Sequence, residues 1–154
     1  GPQVRTAMLR DGKPIMLEAG QDILIQAMGP AYKTWEGYKD DKETVIGISY
    51  KKLCQKVKVG DCIILQEGTI AVDIVEIVSP TVLRGVVQNS SMLGERKTCC
   101  IPGVSLDLPV LTAKDVYDLK HFCVKHLFDY VAAPRVQSKK DVELVRSTLD
   151  RVDV

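Results

Sequence analysis

Apolar and polar residues alternate in short runs over the first two thirds of the chain, and then recur at helical spacing. Val4, Thr6 and Met8 share one face of an extended segment, with Arg5 and Ala7 on the other. Asp11-Gly12 is a turn, Pro14 to Glu18 a short strand, Ala19 to Asp22 a second turn, and Ile23 to Ile25 a third strand. Residues 29–42 are polar and read as an exposed loop around Trp35, which either pins the loop or sits in a contact. Thr44 to Ile48 reads as a strand and Tyr50 to Cys54 as one helical turn; Val57 and Val59 lead to a Gly60-Asp61 turn. Cys62 to Leu65 is apolar and β-branched, hence a buried strand; Glu67-Gly68 turns it, and Thr69 to Val78 returns. Pro80 breaks that run, and Val82 to Gln88 follows before the polar turn Asn89-Ser90-Ser91. Strands spaced roughly ten residues apart, with turn chemistry between them, describe a small antiparallel barrel or sandwich.

The period changes after Pro109. Thr112-x-x-Asp115 reads as a capping box, and Val116, Leu119, Cys123 and Leu127 fall on one helical face. Tyr130 to Ala133 reads as a short strand. Ser138 is the expected N-cap of a second helix whose apolar face is Val142, Val145, Leu149 and Val152. Helix, strand, helix is a slice of an alternating α/β fold, too small to close a parallel sheet alone. Some of its apolar surface is therefore expected to lack a partner, leaving the region loosely packed or paired with a second copy.

The 154 residues suffice for a core, and 45% hydrophobic with 27% charged residues is a globular balance. A net charge of +1 and 5% aromatic residues argue against a nucleic-acid binder. No apolar run reaches the ~20 residues of a membrane span. Five cysteines without staple spacing point to a reducing, cytoplasmic setting. Gly at position 1 and an abrupt stop at Val154 lead us to expect a piece of a longer protein.

The richest stretch chemically is Met92 to Pro109. Its paired cations, Arg96 and Lys97, are the best place for meeting an anion, although such a pair also suits an ordinary exposed turn. Cys99-Cys100 has no second pair or histidine cluster to complete a metal site. His121 and His126 read as surface residues of the first helix rather than catalysts.

Gly1 to Thr6, Tyr50-Lys51, Glu67-Gly68, Met92 to Lys97 and Asp107-Leu108-Pro109, taken in one register, resemble segments of pyruvate kinases. Gly1-Pro-Gln-Val-Arg-Thr6 is similar to the family's Gly-Pro-Glu-Ile-Arg-Thr segment. Tyr50-Lys51, Val57 to Gly60, Glu67-Gly68, Met92 to Lys97, Pro102-Gly103 and Asp107-Leu108-Pro109 follow in the family's order. Lys114-Asp115, Asp129-Tyr-Val131 and Asp141-Val142 with Val145-Arg146 complete the match. The resemblance implies a mainly β chain: a small β-barrel lid (the B domain, residues 1–108), then a helix-strand-helix fragment of an (α/β)8 barrel (the A domain, residues 109–154). It implies a glycolytic parent, a homotetramer, that transfers phosphoryl from phosphoenolpyruvate to ADP with Mg2+ and K+ and yields ATP from ADP. The lid would close over the nucleotide.

By the same resemblance Arg5 at the hinge and Lys97 on the lid contact the nucleotide phosphates, and Glu67 lies near the nucleotide-bound metal. Phosphoryl transfer needs such cations, and needs water excluded. The chain departs from the family at Glu67, usually aspartate, at Thr98, usually glycine, and at Cys100, commonly asparagine. Pro134 and Arg135 stand where serine and phenylalanine are usual, which puts substrate-side chemistry in question. The family's substrate arginine, catalytic lysine and most metal ligands have no counterpart here, so no catalytic residue is assigned and the fragment alone is expected to be inactive. The alternative is a truncated or degenerate paralogue acting as a non-catalytic interaction module.

Overall fold

The computed structural model describes residues 3–134 and 136–150, without the side chain of Asp150. Gly1-Pro2 of the opening motif, Arg135 and Val152 therefore lie outside the described residues. Gln3–Leu106 forms one compact unit, and the residues from Asp107 onward belong to another.

The first unit is built of ten strands. They are β1 (Met8–Leu9), β2 (Ile15–Leu17), β3 (Asp22–Ala27), β4 (Glu36–Lys39) and β5 (Thr44–Ile48), then β6 (Cys62–Leu65), β7 (Ile70–Ser79), β8 (Val82–Val87), β9 (Ser91–Leu93) and β10 (Cys99–Cys100). One helical turn, α1 (Leu53–Lys56), falls between β5 and β6. Eight strands form one sheet in the order β1-β4-β5-β3-β8-β7-β6-β10, while β2 and β9 make a separate ribbon. Burial alternates along β3, β6 and β8, as a half-buried strand requires. Leu17, Ile23, Ile25, Ile46, Ile63, Leu65, Ile74 and Leu83 are almost wholly enclosed. Each such side chain contributes about 1.5–3 kcal/mol of burial.

Residues 4–7 close the sheet on itself. Thr6 bridges Ile48 of β5, and Arg5 bridges Thr98, just before β10. Ala7 N donates to Gly47 O and Thr6 N to Lys97 O, each at 2.8 Å, so one segment ties β5 to the chain entering the edge strand β10. The entering and leaving strands thus run side by side.

Two expectations change. Residues 29–42 are not all loop: a 3-10 turn at Gly29–Lys33 is followed by β4. That crossover lets β5 lie parallel to β3, and β1 is parallel to β4, so the sheet is mixed rather than purely antiparallel. Gly37 fits because a Cβ there would come 2.7 Å from the Val45 carbonyl oxygen, and Trp35 pins the crossover by packing on Gly47, where a Cβ would meet its ring at 2.8 Å.

In the second unit α2 (Ala113–Asp118) starts on the expected capping box: Thr112 Oγ1 accepts from Asp115 N at 3.1 Å, and Asp115 Oδ2 from Thr112 N at 2.7 Å. A π-helical turn, Leu119–Val124, continues it. The turn ends where Phe128 N donates to Cys123 O and Leu127 N to Val124 O, with Leu127 left-handed at φ 54°. That reversal takes Leu127 off the expected apolar face and leaves it 85% exposed. Residues 130–133 form no ladder, because a strand needs a neighbour and none of the described residues pairs with them. The last helix, α3 (Lys139–Asp150), begins at Ser138, whose Oγ accepts from Asp141 N while Asp141 Oδ2 accepts from Ser138 N. Val145 and Thr148 are its buried side chains.

Candidate functional site

The candidate residues lie on two facing turns and the strand that closes the sheet. Between β6 and β7 the chain turns through Gln66, Glu67 and Gly68, at φ 51°, 59° and 97°. Between β9 and β10 it turns through residues 94–97, with Arg96 at φ 53°. Left-handed non-glycine residues cost roughly 1–2 kcal/mol each, so surrounding bonds must hold them.

Thr98 joins the three expected contacts. Its carbonyl accepts from Gln66 N at 2.9 Å, its Oγ1 accepts from Glu67 N at 3.0 Å, and it bridges Arg5. Arg5 is half-buried. Its backbone N donates to Ser49 Oγ at 2.9 Å, its Nη1 to the Arg96 carbonyl at 2.9 Å, and its Nη2 to Gln3 Oε1. The left-handed Arg96 turns that carbonyl toward the guanidinium, which still keeps N–H donors for a ligand.

Lys97 is exposed and makes no ion pair with the described residues. Its backbone N donates to Thr6 Oγ1 at 2.8 Å, and its stem passes over Gly94, where a Cβ would come 2.7 Å from Lys97 Cε. Glu95 Oε1 accepts from Leu9 N at 2.8 Å and fixes the same turn to β1. Alternation along the ladder puts Arg5 and Thr98 on one face and starts Lys97 on the other. An anion touching both cations would therefore meet them at the rim of the sheet. Glu67 is exposed on its turn.

Reasoning from the sequence missed Gln66, which stitches the two turns together. Its only signal was its place before Glu67-Gly68, in a turn already recognised.

Cys99 and Cys100 point to opposite sides of β10: burial pushes the Cys99 thiol up to about 12, whereas Cys100 is exposed. Among the described residues no group of three or more His, Cys, Asp or Glu side chains could hold a metal ion. His121 and His126 are exposed, their rings tilted against those of Tyr117 and Phe122 with centroids 4.3 and 5.5 Å apart. In the second unit an apolar hollow of about 130 Å³ is lined by Leu119, Cys123, Val131 and Val145 among others. Its described lining residues include no cation and no nucleophile–base pair.

The model of the pyruvate kinase barrel-domain family matches residues 1–153. The chain belongs to the pyruvate kinase family. It is 39% identical to a probable cytosolic pyruvate kinase isozyme of Arabidopsis thaliana, covering 98% of this chain and 29% of that one. A cytosolic isozyme of Solanum tuberosum is 37% identical, over 97% and 28%. A crystal structure of a pyruvate kinase from Cryptosporidium parvum superposes with a TM-score of 0.83 at 32% identity, over 96% of this chain and 28% of that one. Another, of the Cryptosporidium parvum enzyme in complex with ADP, gives 0.79 at 34% over the same shares. The chain thus spans less than a third of the length of these pyruvate kinases.

Proposed function

We propose that this chain is the lid-bearing part of a cytosolic pyruvate kinase, residues 1–108 forming the lid and 109–154 the adjoining piece of the catalytic barrel. The parent transfers phosphoryl from phosphoenolpyruvate to ADP as a homotetramer, with Mg2+ and K+. Arg5 forks onto phosphate oxygens of the nucleotide and Lys97 supplies a point charge. The observation that carries this reading is the clamp on the closing strand: Arg5 and the turn bearing Lys97 are fixed to each other through Thr6, Arg96 and Thr98. Plant relatives named as cytosolic isozymes support the compartment.

The metal does not fit this chain alone. Mg2+ takes an octahedral set of oxygens, and Glu67 is a single exposed carboxylate. Glu67 approaches a metal only as one contact among ligands from elsewhere. The absent carboxylates and lysine make the chain inactive alone. A coupled reductase assay with phosphoenolpyruvate, ADP and this chain is expected to match the buffer blank; turnover above it overturns the reading.

A second reading, a truncated paralogue that binds a partner, is favoured by the exposed Phe122, Phe128 and Tyr130 of the second unit, at 56%, 57% and 93% exposure. Such a chain would associate through that face, with itself or another protein.

A further inference from the structure

We infer that Gln66 is a positioning residue for the phosphate-contacting lysine: its amide clamps the turn whose Gly94 supports the Lys97 stem. The inference rests on reading Lys97 as a phosphate contact. Gln66 Nε2 donates to the Met92 carbonyl at 3.0 Å, and its Oε1 accepts from Gly94 N at 3.0 Å. Its backbone N donates to Thr98 O at 2.9 Å, so one residue grips the facing turn at both ends. Its own carbonyl accepts from Thr69 N and Thr69 Oγ1, at 3.2 and 2.9 Å, which fixes the turn that presents it.

The conformation supports the same conclusion. Of the five non-glycine residues with positive φ among the described residues, Gln66, Glu67 and Arg96 sit in these two turns. Strain concentrated where the charged side chains emerge is held by the bonds between the turns rather than by deep burial, since Gln66 is only half-buried and Glu67 and Arg96 are exposed. Gln66 suits the task because its amide offers a donor and an acceptor on one flexible stem. Glutamate keeps the acceptor for Gly94 but faces the Met92 carbonyl with a second oxygen. Methionine keeps the stem and makes neither bond.

The test is a double-mutant cycle on this chain, titrated with magnesium-ADP and followed by amide NMR, with native-state hydrogen exchange at Gly94. Gln66→Met is expected to raise Kd about fivefold when Lys97 is present and to change nothing further in a Lys97→Met background. Exchange at Gly94 is expected to quicken about tenfold, with the amides of β7 and β8 unchanged. An equal loss in both backgrounds, or unaltered exchange at Gly94, overturns the positioning role. Wild-type affinity in Lys97→Met alone instead overturns the reading of Lys97 on which the inference rests.

Discussion

Gly94→Ala separates folding from binding. A methyl group at Gly94 would come 2.7 Å from Lys97 Cε, a contact that cannot persist. The opposing atom belongs to the far part of a flexible side chain, so Lys97 moves and the backbone stays. Gly94 is not left-handed, so the new residue is not strained by its φ. Loss of glycine freedom in the unfolded chain contributes about 0.4–1 kcal/mol of stability. A displaced lysine rotamer costs about 0.5–1.5 kcal/mol, so the net change stays within about 1 kcal/mol. Binding behaves differently, because a hydrogen bond from an ammonium to phosphate contributes about 1.5–3 kcal/mol. Moving the stem off its support then raises the Kd for magnesium-ADP about tenfold. Calorimetric titration and a thermal melt on the same samples measure both effects. A Kd within about twofold of wild type, with an unchanged melt, refutes the placement of Lys97 on the phosphates.

Three further outcomes are expected. Gly85→Ala drives a Cβ to 2.5 Å from Val72 Cγ1 and 3.1 Å from the Asp73 carbonyl, so denaturant melts lose about 1–3 kcal/mol. Hydrogen bonds from the Thr112 hydroxyl and backbone N hold the Asp115 carboxyl below its ordinary 3.8. Its stabilisation is therefore complete above 3.8 and lost as pH falls through the lowered folded value; Thr112→Ala costs about 1 kcal/mol at neutral pH and flattens that acid dependence in helical circular dichroism. A thiol reagent at about pH 8 modifies exposed Cys100 well before Cys99, whose burial keeps it protonated; equal rates by peptide mass spectrometry contradict the packing of β10.

What could be read from the residues was local. Cys62 to Leu65, Thr69 to Val78 and Val82 to Gln88 carry their own alternation, and β6, β7 and β8 lie within a residue or so of those bounds. Both helix starts, at Thr112 and Ser138, declare themselves through a cap and an acid three residues on. What could not be read depends on distant partners. β4 is Glu-Gly-Tyr-Lys, polar by pattern, and becomes a strand because Gly37 lets it close on Val45. The two residues of β10 pair only because β6 is beside them. Residues 130–133 have strand composition but find no pairing partner among the described residues. At the candidate site the family motif pointed to Arg5, Glu67 and Lys97. Gln66 remained hidden because its role lies in bonds to Met92 and Gly94, far along the chain.

Amide and side-chain NMR mapping of magnesium-ADP on this chain, alone and with Arg5→Met combined with Lys97→Met, tests the lid reading most directly. We expect saturable shifts confined to residues around Arg5, Glu67 and 94–98, and their loss in the double variant. Shifts centred elsewhere, or an unchanged titration without both cations, would contradict it.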